Sequence, residues 1–179
     1  MTRETALLII VVVAVALLAL GVRAWLRRTR RDSGLAAPVG EIPAGATTRA
    51  VYHGLYVATT RHDEPLERLA IRGLGFRSRV EVTVTDQGVA LDLTGQPRLF
   101  LPAARIAGVG QATVAIDRVV EKDGLVRLSW HAADEGADTA GTLVDTYLRA
   151  QDASSRTVSD AIAAILPAPT STTPTGTDA

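Results

Sequence analysis

An uncharged apolar run from Thr5 to Val22 constrains this chain more than any other feature, because nearly every residue in it is Leu, Ile, Val or Ala. As an α-helix, its 18 residues extend about 27 Å, and continuing to Leu26 matches a hydrocarbon core about 30 Å thick. The run has no polar face, and the remaining chain is too short to surround it. The sequence therefore predicts a single transmembrane helix at residues 5–26, after a short extracytoplasmic N-terminus at residues 1–4.

The residues that flank this run predict which side of the membrane carries the rest of the chain. Flanks rich in Lys and Arg remain cytoplasmic, and an indole ring is favoured at the membrane–water interface. Arg3 alone precedes the run, whereas five arginines follow it. We therefore expect the N-terminus outside and the C-terminal part at the cytoplasmic face of the cell (inner) membrane. The candidate membrane-anchoring residues are Arg23, Trp25, Arg27, Arg28, Arg30 and Arg31.

A cleaved signal peptide is the main alternative for the same segment. Such a peptide carries its positive charge before an apolar core of about 7–15 residues and ends in small residues at a cleavage site. Here the core is longer, most of the positive charge follows it, and no convincing A-x-A site comes after it. The pattern favours a retained anchor.

Composition divides the rest of the chain into three parts. Residues 27–47 combine the arginines with Gly and Pro among small residues, which predicts a juxtamembrane linker. Residues 167–179 are mostly Pro, Thr, Ser and Gly, which cannot form a core, so we expect them to be disordered. The predicted folded domain is residues 48–166, which is long enough for one modest core.

Within this domain, apolar residues alternate with polar ones, as expected for strands with one buried face. In the stretch RVEVTVT, for example, Val80, Val82 and Val84 share a face. Turn residues separate successive runs, and Asp123-Gly124 is a strong hairpin signal. The predicted strands are residues 51–60, 79–85, 89–93, 98–102, 112–120, 125–130 and 142–148. This spacing predicts a mainly β fold, an antiparallel seven-stranded sandwich or barrel.

Two helices are predicted beside these strands. In residues 64–73, Pro65 suits a first helical turn, and Leu66 and Leu69 share a face. Residues 154–166 show the i, i+3, i+4 apolar spacing of an amphipathic helix. We expect this C-terminal helix to cover the open end of the curved sheet.

Composition and motifs argue against several functions. The chain has 19 basic and 19 acidic residues, and the part from Glu41 to Leu166 has 13 basic and 16 acidic ones, so no broad positive field attracts nucleic acid. There is no cysteine, the histidines are scattered, and no nucleophile motif is found. We interpret the acidic stretch 134–138 as a solvated loop. We therefore predict no enzyme activity, no catalytic or metal-binding residue, no cofactor and no nucleic-acid partner.

Four arginines within twelve residues are the candidate contact for an anion or a lipid headgroup: Arg68, Arg72, Arg77 and Arg79. Guanidinium groups bind phosphate oxygens in a bidentate manner, and the flexible stretch Gly73-Leu74-Gly75 lies beside them. The alternative is that nearby glutamates neutralise these arginines on a solvated surface, namely Glu64, Glu67 and Glu81. The sequence leaves both interpretations open.

Four stretches carry a family resemblance: YVATT (56–60), ERLAIRGLGFRSRV (67–80), LFLPAARIAGV (99–109) and GLVRLSW (124–130). They resemble actinobacterial single-pass membrane proteins with a pleckstrin-homology-like (PH-like) domain, which are often loosely labelled transporter or export proteins. The resemblance extends to about Leu166 and implies seven antiparallel strands followed by a C-terminal helix. It implies an interaction role but no particular ligand, because bacterial members generally lack the phosphoinositide motif of eukaryotic PH domains.

The expected function is that of a membrane-anchored, non-enzymatic interaction or scaffolding module at the cytoplasmic face. We expect a protein partner, bound at an exposed sheet edge or beside the C-terminal helix. One alternative is that the four arginines bind anionic lipid headgroups. Another is an accessory subunit of a transporter, although the absence of polar residues between Thr5 and Val22 counts against it.

Overall fold

A long apolar helix precedes the rest of the protein. The computed structural model describes residues 3–32, 34–71, 73–116, 118–119, 121–134 and 141–167. Helix α1 (Arg3–Asp32) is one continuous element of 30 residues. Its most apolar 18-residue window has a mean hydropathy of 3.1, and none of that window is buried against the protein. By length and composition, α1 can cross a membrane, as the sequence predicts.

Within the described residues, ten strands and a second α-helix follow α1. The strands are β1 (Leu35–Ala36), β2 (Thr48–Arg61), β3 (Ser78–Thr85), β4 (Gly88–Leu93), β5 (Leu99–Pro102), β6 (Ile106–Ala112), β7 (Val114–Ala115), β8 (Arg118–Val119), β9 (Leu125–Asp134) and β10 (Thr142–Ala150). Helix α2 (Ser155–Ala163) comes last. Within the described residues, seven of these strands have four residues or more. The predicted mainly β fold with a C-terminal helix is confirmed.

All the strand pairs are antiparallel. The sheet runs in the order β1-β9-β10-β2-β3-β4-β5, and β6 pairs with β9 beside β1. Strands β2 to β5 thus form a four-stranded meander, and β6, β9 and β10 form a three-stranded one joined to it through the β10–β2 pair. Strands β7 and β8 form a separate small hairpin in the connection from β6 to β9.

Part of the segment predicted to be a linker connects the two edges of this sheet. Strand β1 pairs with the end of β9 on one edge. A few residues later, Val39 forms a bridge with Leu99 of β5, the strand on the other edge. Backbone bonds from Gly40 N to Arg98 O (3.1 Å) and from Phe100 N to Pro38 O (2.9 Å) extend this contact. Residues 35–40 therefore belong structurally to the sheet, while the predicted domain start at residue 48 stays a prediction.

The core follows the predicted alternation along the central strands. Val80, Val82 and Val84 of β3 are all buried, as is the facing row on β4. Helix α2 lies across one end of the curved sheet and buries Val158 and Ile162 against it. The Ser154 hydroxyl caps α2 by accepting a hydrogen bond from the Thr157 backbone N–H at 3.0 Å. The C-terminal helix thus occupies the expected place.

The predicted helix at residues 64–73 is wrong. The segment is irregular and follows the end of β2, with a 2.8 Å bond from Leu69 N to Thr59 O. Leu69 and Ile71 are both buried, which is the two-residue alternation of an extended chain, whereas Leu66 is 70% exposed. Pairing with β2 therefore outweighs the local helical propensity.

The predicted strand at residues 112–120 is also wrong in position. Strand β6 starts six residues earlier, at Ile106, and ends at Ala112. Gly108 and Gly110 interrupt its apolar pattern, since glycine weakens a strand and provides no side chain to alternate. The turn at Asp123-Gly124 does lie immediately before β9, and Asp123 has a positive φ of 58°.

A buried chain of hydroxyl groups crosses the core. The Trp130 indole N–H donates to Thr146 Oγ1 at 2.9 Å, and Thr146 Oγ1 lies 2.9 Å from Thr59 Oγ1. The Thr59 hydroxyl is 3.0 Å from the Tyr56 hydroxyl, which donates to the Leu74 carbonyl at 2.6 Å. Burial raises the pKa of Tyr56 to about 12. This series of hydrogen bonds therefore holds the backbone at Leu74 against the centre of the β domain.

We predict that Thr146→Val lowers the free energy of unfolding by about 1–3 kcal/mol, because it leaves the buried Trp130 N–H without an acceptor. The measurement is urea unfolding of the full chain in neutral detergent, followed by tryptophan fluorescence. Thr48→Val is the matched control, because Thr48 is exposed and its substitution should change stability by less than about 0.5 kcal/mol. Equal stabilities for the two variants would contradict a stabilising role for this series of hydrogen bonds.

Candidate functional site

Hydrogen bonds from the β domain hold the irregular segment between β2 and β3, residues 62–77, in place. The Leu74 carbonyl accepts the bond from Tyr56 described above. The Arg68 guanidinium donates to the Gly75 carbonyl at 2.8 Å and to the Val57 carbonyl at 2.5 Å. Gly73 adopts a φ of +86°, which lets the chain turn at a position where other residues would be strained. The segment is therefore held in one shape rather than spread over the surface.

A cavity of about 360 Å³ opens between residues 71–78 and the turn that joins β4 to β5. Its lining combines backbone at two glycines, one arginine, two hydroxyls and one amide side chain. The lining residues are Ile71, Gly73, Gly75, Phe76, Arg77, Ser78, Thr94 and Gln96. Positive charge, hydroxyl and amide groups around one cavity are the groups that bind phosphate oxygens.

One polar atom beside this cavity has no protein partner. Ser78 Oγ is buried and forms no hydrogen bond within the part of the chain that the structure describes. A buried hydroxyl without a partner is uncommon in folded proteins, because its desolvation is not compensated. Arg77 next to it is exposed and has no ion pair among the described residues. The wall of the cavity therefore has an exposed guanidinium without an ion pair among the described residues, and an unused hydroxyl is buried in the next residue.

Of the four arginines singled out in the sequence, the three that the structure describes have different surroundings. Arg68 bonds to backbone carbonyls and braces the segment. Arg77 lines the cavity, and Arg79 is exposed at the start of β3. Arg72 lies outside the described residues. The assignment of these arginines to an anion contact stays a prediction, with Arg77 in the most suitable position.

Two of the three glutamates expected to neutralise these arginines contact other side chains among the described residues. Glu67 pairs with Arg31 at 2.7 Å. A carboxylate oxygen of Glu81 is 3.6 Å from His53 Nδ1. The described residues show no ion pair between Glu64 and Arg68.

The C-terminal end of α1 is bonded to the same segment. Asp32 is fully buried, and its Oδ2 accepts a hydrogen bond from Ala70 N at 3.0 Å. Arg31 donates to Asp32 Oδ1 at 2.9 Å and to Glu67 Oε1 at 2.7 Å. Hydrogen bonds to these two carboxylates raise the pKa of Arg31. The helix end and the segment that lines the cavity are therefore joined through side chains and backbone.

The other predicted membrane-anchoring residues all lie on α1. Arg23, Trp25, Arg27 and Arg30 are exposed there, and the Arg28 side chain is outside the described part. The guanidinium of Arg31 bonds to Glu67 of the β domain. Their role in a membrane stays a prediction.

A second polar cluster closes the start of the segment. His62 Nδ1 lies 2.9 Å from Asp145 Oδ1, and His62 Nε2 lies 3.4 Å from Asp63 Oδ2. Asp145 is fully buried and also accepts from the Ser129 hydroxyl at 2.6 Å and from Asp63 N at 3.3 Å. The side chains of His62, Asp63 and Asp145 could together hold a metal ion. Protein groups already occupy both oxygens of Asp145, which favours a structural brace.

Positive charge beside this cluster also argues against a cation. Arg127 Nη1 lies 3.6 Å from Asp63 Oδ1, on the exposed side of the cluster. Burial first, and then the charge of Asp145, raise the pKa of Tyr147 nearby. Sequence reasoning missed this cluster because His62 and Asp145 are 83 positions apart. The acidic stretch 134–138 interpreted as a loop lies almost wholly outside the described residues, apart from the backbone of Asp134.

Two antiparallel meanders, closed at one end by a C-terminal helix, define a PH-like architecture. Residues 34–163 match the family described as bacterial PH domain-like, and the chain belongs to that family. The match begins next to β1, which agrees with the pairing of residues 35–40 into the sheet. Comparison with curated proteins finds no match.

We predict that Asp32→Ala weakens the attachment of α1 to the segment, leaving the Arg31–Glu67 ion pair in place. The Ala70 N–H loses its charged acceptor, so its hydrogen–deuterium exchange should accelerate by about 10- to 100-fold. Asp152→Ala is the matched control, because Asp152 also accepts one backbone N–H, from His53 at 2.8 Å, away from α1. The control should accelerate exchange at His53 and leave Ala70 unchanged. Unchanged exchange at Ala70 in the Asp32 variant would show that the contact does not hold the helix end.

Proposed function

We propose that this chain is a single-pass membrane protein whose PH-like domain lies at the cytoplasmic face and binds phosphate-bearing headgroups of anionic lipids. The ligand occupies the cavity between residues 71–78 and 94–96, and no reaction is catalysed. One observation carries the proposal: the cavity with the unpaired Ser78 hydroxyl and Arg77 belongs to the segment that is bonded to the end of α1. The geometry thus favours the headgroup alternative over the protein partner expected from sequence.

The chemistry of the cavity suits a phosphate monoanion or diester. Arg77 supplies a guanidinium that can bind two oxygens at once, and Ser78 supplies a hydroxyl donor that protein groups leave unused. Gly73 and Gly75 have no side chain, so a ligand can approach their backbone closely. Gln96 on the opposite wall adds an amide donor.

The attachment to α1 supports a membrane ligand over a free one. A domain tethered at the bilayer meets headgroups at a high effective concentration, so a weak intrinsic affinity suffices. The short connection also restricts how far the cavity can move from the headgroups, because Asp32 and Arg31 bond directly to residues 67–70.

The flanking charges support the cytoplasmic location. Five arginines follow the apolar run and one precedes it, and the positive-inside rule associates such a flank with the cytoplasmic side. The family supports a binding role without catalysis, because PH-like domains generally serve as binding modules.

For the topology, we predict that alkaline phosphatase fused after Leu166 of the full chain is inactive in intact cells, because the enzyme matures only outside the cytoplasm. Green fluorescent protein fused at the same residue should fluoresce, since it matures on the cytoplasmic side. An active phosphatase fusion with a dark fluorescent fusion would place the domain outside and overturn the cytoplasmic assignment.

For the ligand, we predict that the full chain in neutral detergent binds dihexanoyl phosphatidylglycerol but not dihexanoyl phosphatidylcholine. Arg77→Glu should weaken the binding at least tenfold, about 1.4 kcal/mol, because it removes a charge-assisted contact and adds repulsion. The measurement is the shift of the Gly73 and Gly75 amide resonances during titration. Inorganic phosphate, titrated in parallel, separates a phosphate site from a lipid site.

Arg156→Glu is the matched control for this titration. Arg156 is exposed on α2, away from the cavity, and its reversal makes the same change in net charge. It should leave the affinity unchanged. Equal shifts with both lipids, or equal losses in the two variants, would reject the cavity as a headgroup site.

A protein partner is the second candidate, and one observation favours it. Strand β6 pairs only with β9 among the described strands, so one of its edges is available for an added strand. Gly108 and Gly110 leave open space where side chains would stand, and α2 lies beside them. Recruitment of a protein segment at this edge would persist in the Arg77→Glu variant, which separates the two candidates.

A further inference from the structure

The most exposed apolar side chains of the β domain lie in the segment that lines the cavity. Outside α1, four large apolar side chains of the described residues are exposed: Val39 65%, Val51 46%, Leu66 70% and Phe76 86%. The two highest values belong to residues 62–77. A single exposed apolar residue is ordinary. Two of them on one braced segment, next to a helix that can cross a membrane, indicate a contact surface.

The contacts of α1 place this segment near the bilayer. Glu67, the neighbour of Leu66, pairs with Arg31, and Ala70 N bonds to Asp32. Asp32 lies six residues beyond Leu26, which is about 9 Å along a helix. The headgroup layer of one leaflet is about 5–8 Å thick. The segment therefore contacts α1 at the edge of the headgroup layer that faces water, on the side of the domain. From there, a projecting side chain can reach lipid.

The charges around Phe76 complement an anionic surface. From Ile71 to Val80 the sequence contains three arginines and no acidic residue. Arg77 and Arg79 are exposed there. Aromatic rings flanked by cationic side chains are favoured at the interface of anionic membranes.

The brace beneath this segment reduces the entropy lost on insertion. Leu74 and Gly75, which precede Phe76, accept hydrogen bonds from Tyr56 and Arg68. The backbone that carries Phe76 is therefore fixed before it meets lipid, and only the side chain must become ordered.

We infer that Phe76 and Leu66 insert into the interfacial region of the bilayer that α1 crosses, and that this insertion holds the mouth of the cavity at the level of the headgroups. The inference rests on the proposed membrane location, but it does not require a headgroup in the cavity. Lipid is the occupant because the segment is bonded to the membrane helix itself and carries the complementary charge.

The absence of cysteine in this chain allows a direct test. Single cysteines replace Phe76, Leu66 or Val51 in the full chain, are labelled with the fluorophore NBD, and are reconstituted in vesicles. The vesicles are phosphatidylcholine alone or an equimolar mixture with phosphatidylglycerol. Insertion predicts blue-shifted emission at positions 76 and 66, quenched by acyl-chain spin-labelled lipid. Position 51 is the control and should emit as in water.

A second probe excludes attraction of the dye itself to lipid. NBD on a cysteine at Gln96, an exposed residue on the opposite wall of the cavity, reports the depth of the cavity mouth. The double change Phe76→Ser and Leu66→Ser should increase its quenching by aqueous iodide, and Val51→Ser should not. Water-like emission at position 76, or unchanged iodide quenching at position 96, would overturn the inference.

The outcomes also separate this inference from the headgroup proposal. Insertion in phosphatidylcholine vesicles, together with no phosphatidylglycerol binding in detergent, would keep the inference and reject the headgroup site. Headgroup binding that is sensitive to Arg77→Glu, together with a water-exposed Phe76, would keep the site and reject the inference.

Discussion

The hydrogen bond from the Tyr56 hydroxyl to the Leu74 carbonyl determines the shape of the candidate site. It is the last link of a buried chain that starts at the Trp130 indole and passes through Thr146 and Thr59. Each link is buried, so each polar atom needs its neighbour to offset its desolvation. The irregular segment after β2 is thereby attached to the middle of the sheet at Leu74, between Gly73 and Gly75, which line the cavity.

Two other contacts fasten the same segment at different points. Asp145 holds its start through His62 and the Asp63 backbone, and Asp32 holds Ala70 from the end of α1. Both carboxylates are fully buried and hydrogen-bonded, and removing the partner of such a group is costly. The segment thus contacts both α1 and the sheet, although its described residues contain no helix or strand.

Sequence patterns predicted the elements whose own residues determine them. The alternation of buried residues at Val80 and Val82 of β3, and the apolar face of α2, depend on residues close together in sequence. The periodicity of apolar residues was therefore enough to locate both elements. The segment 64–73 was assigned to a helix because Pro65 and the spacing of Leu66 and Leu69 suit one, whereas its pairing with β2 leaves no periodic signal of its own. The contact of Asp32 with Ala70 spans 38 positions and leaves no periodic trace. Arg77 was identified, but the buried Ser78 hydroxyl beside it was not, because burial is a property of the fold.

The charge distribution of the domain determines which of its faces an anionic membrane surface would attract. Residues 41–166 carry 13 basic and 16 acidic groups, so the domain as a whole is not attracted to an anionic surface. Charges separated by more than about 8 Å are largely screened at physiological salt. The stretch 71–80 has arginines and no acidic residue, so it is attracted to anionic headgroups when it faces them. Acidic groups on other faces of the domain are too far from the headgroups to oppose this attraction. In the proposed membrane location, attachment to α1 would keep this stretch near the lipid, so that short-range attraction could act where the net charge would not.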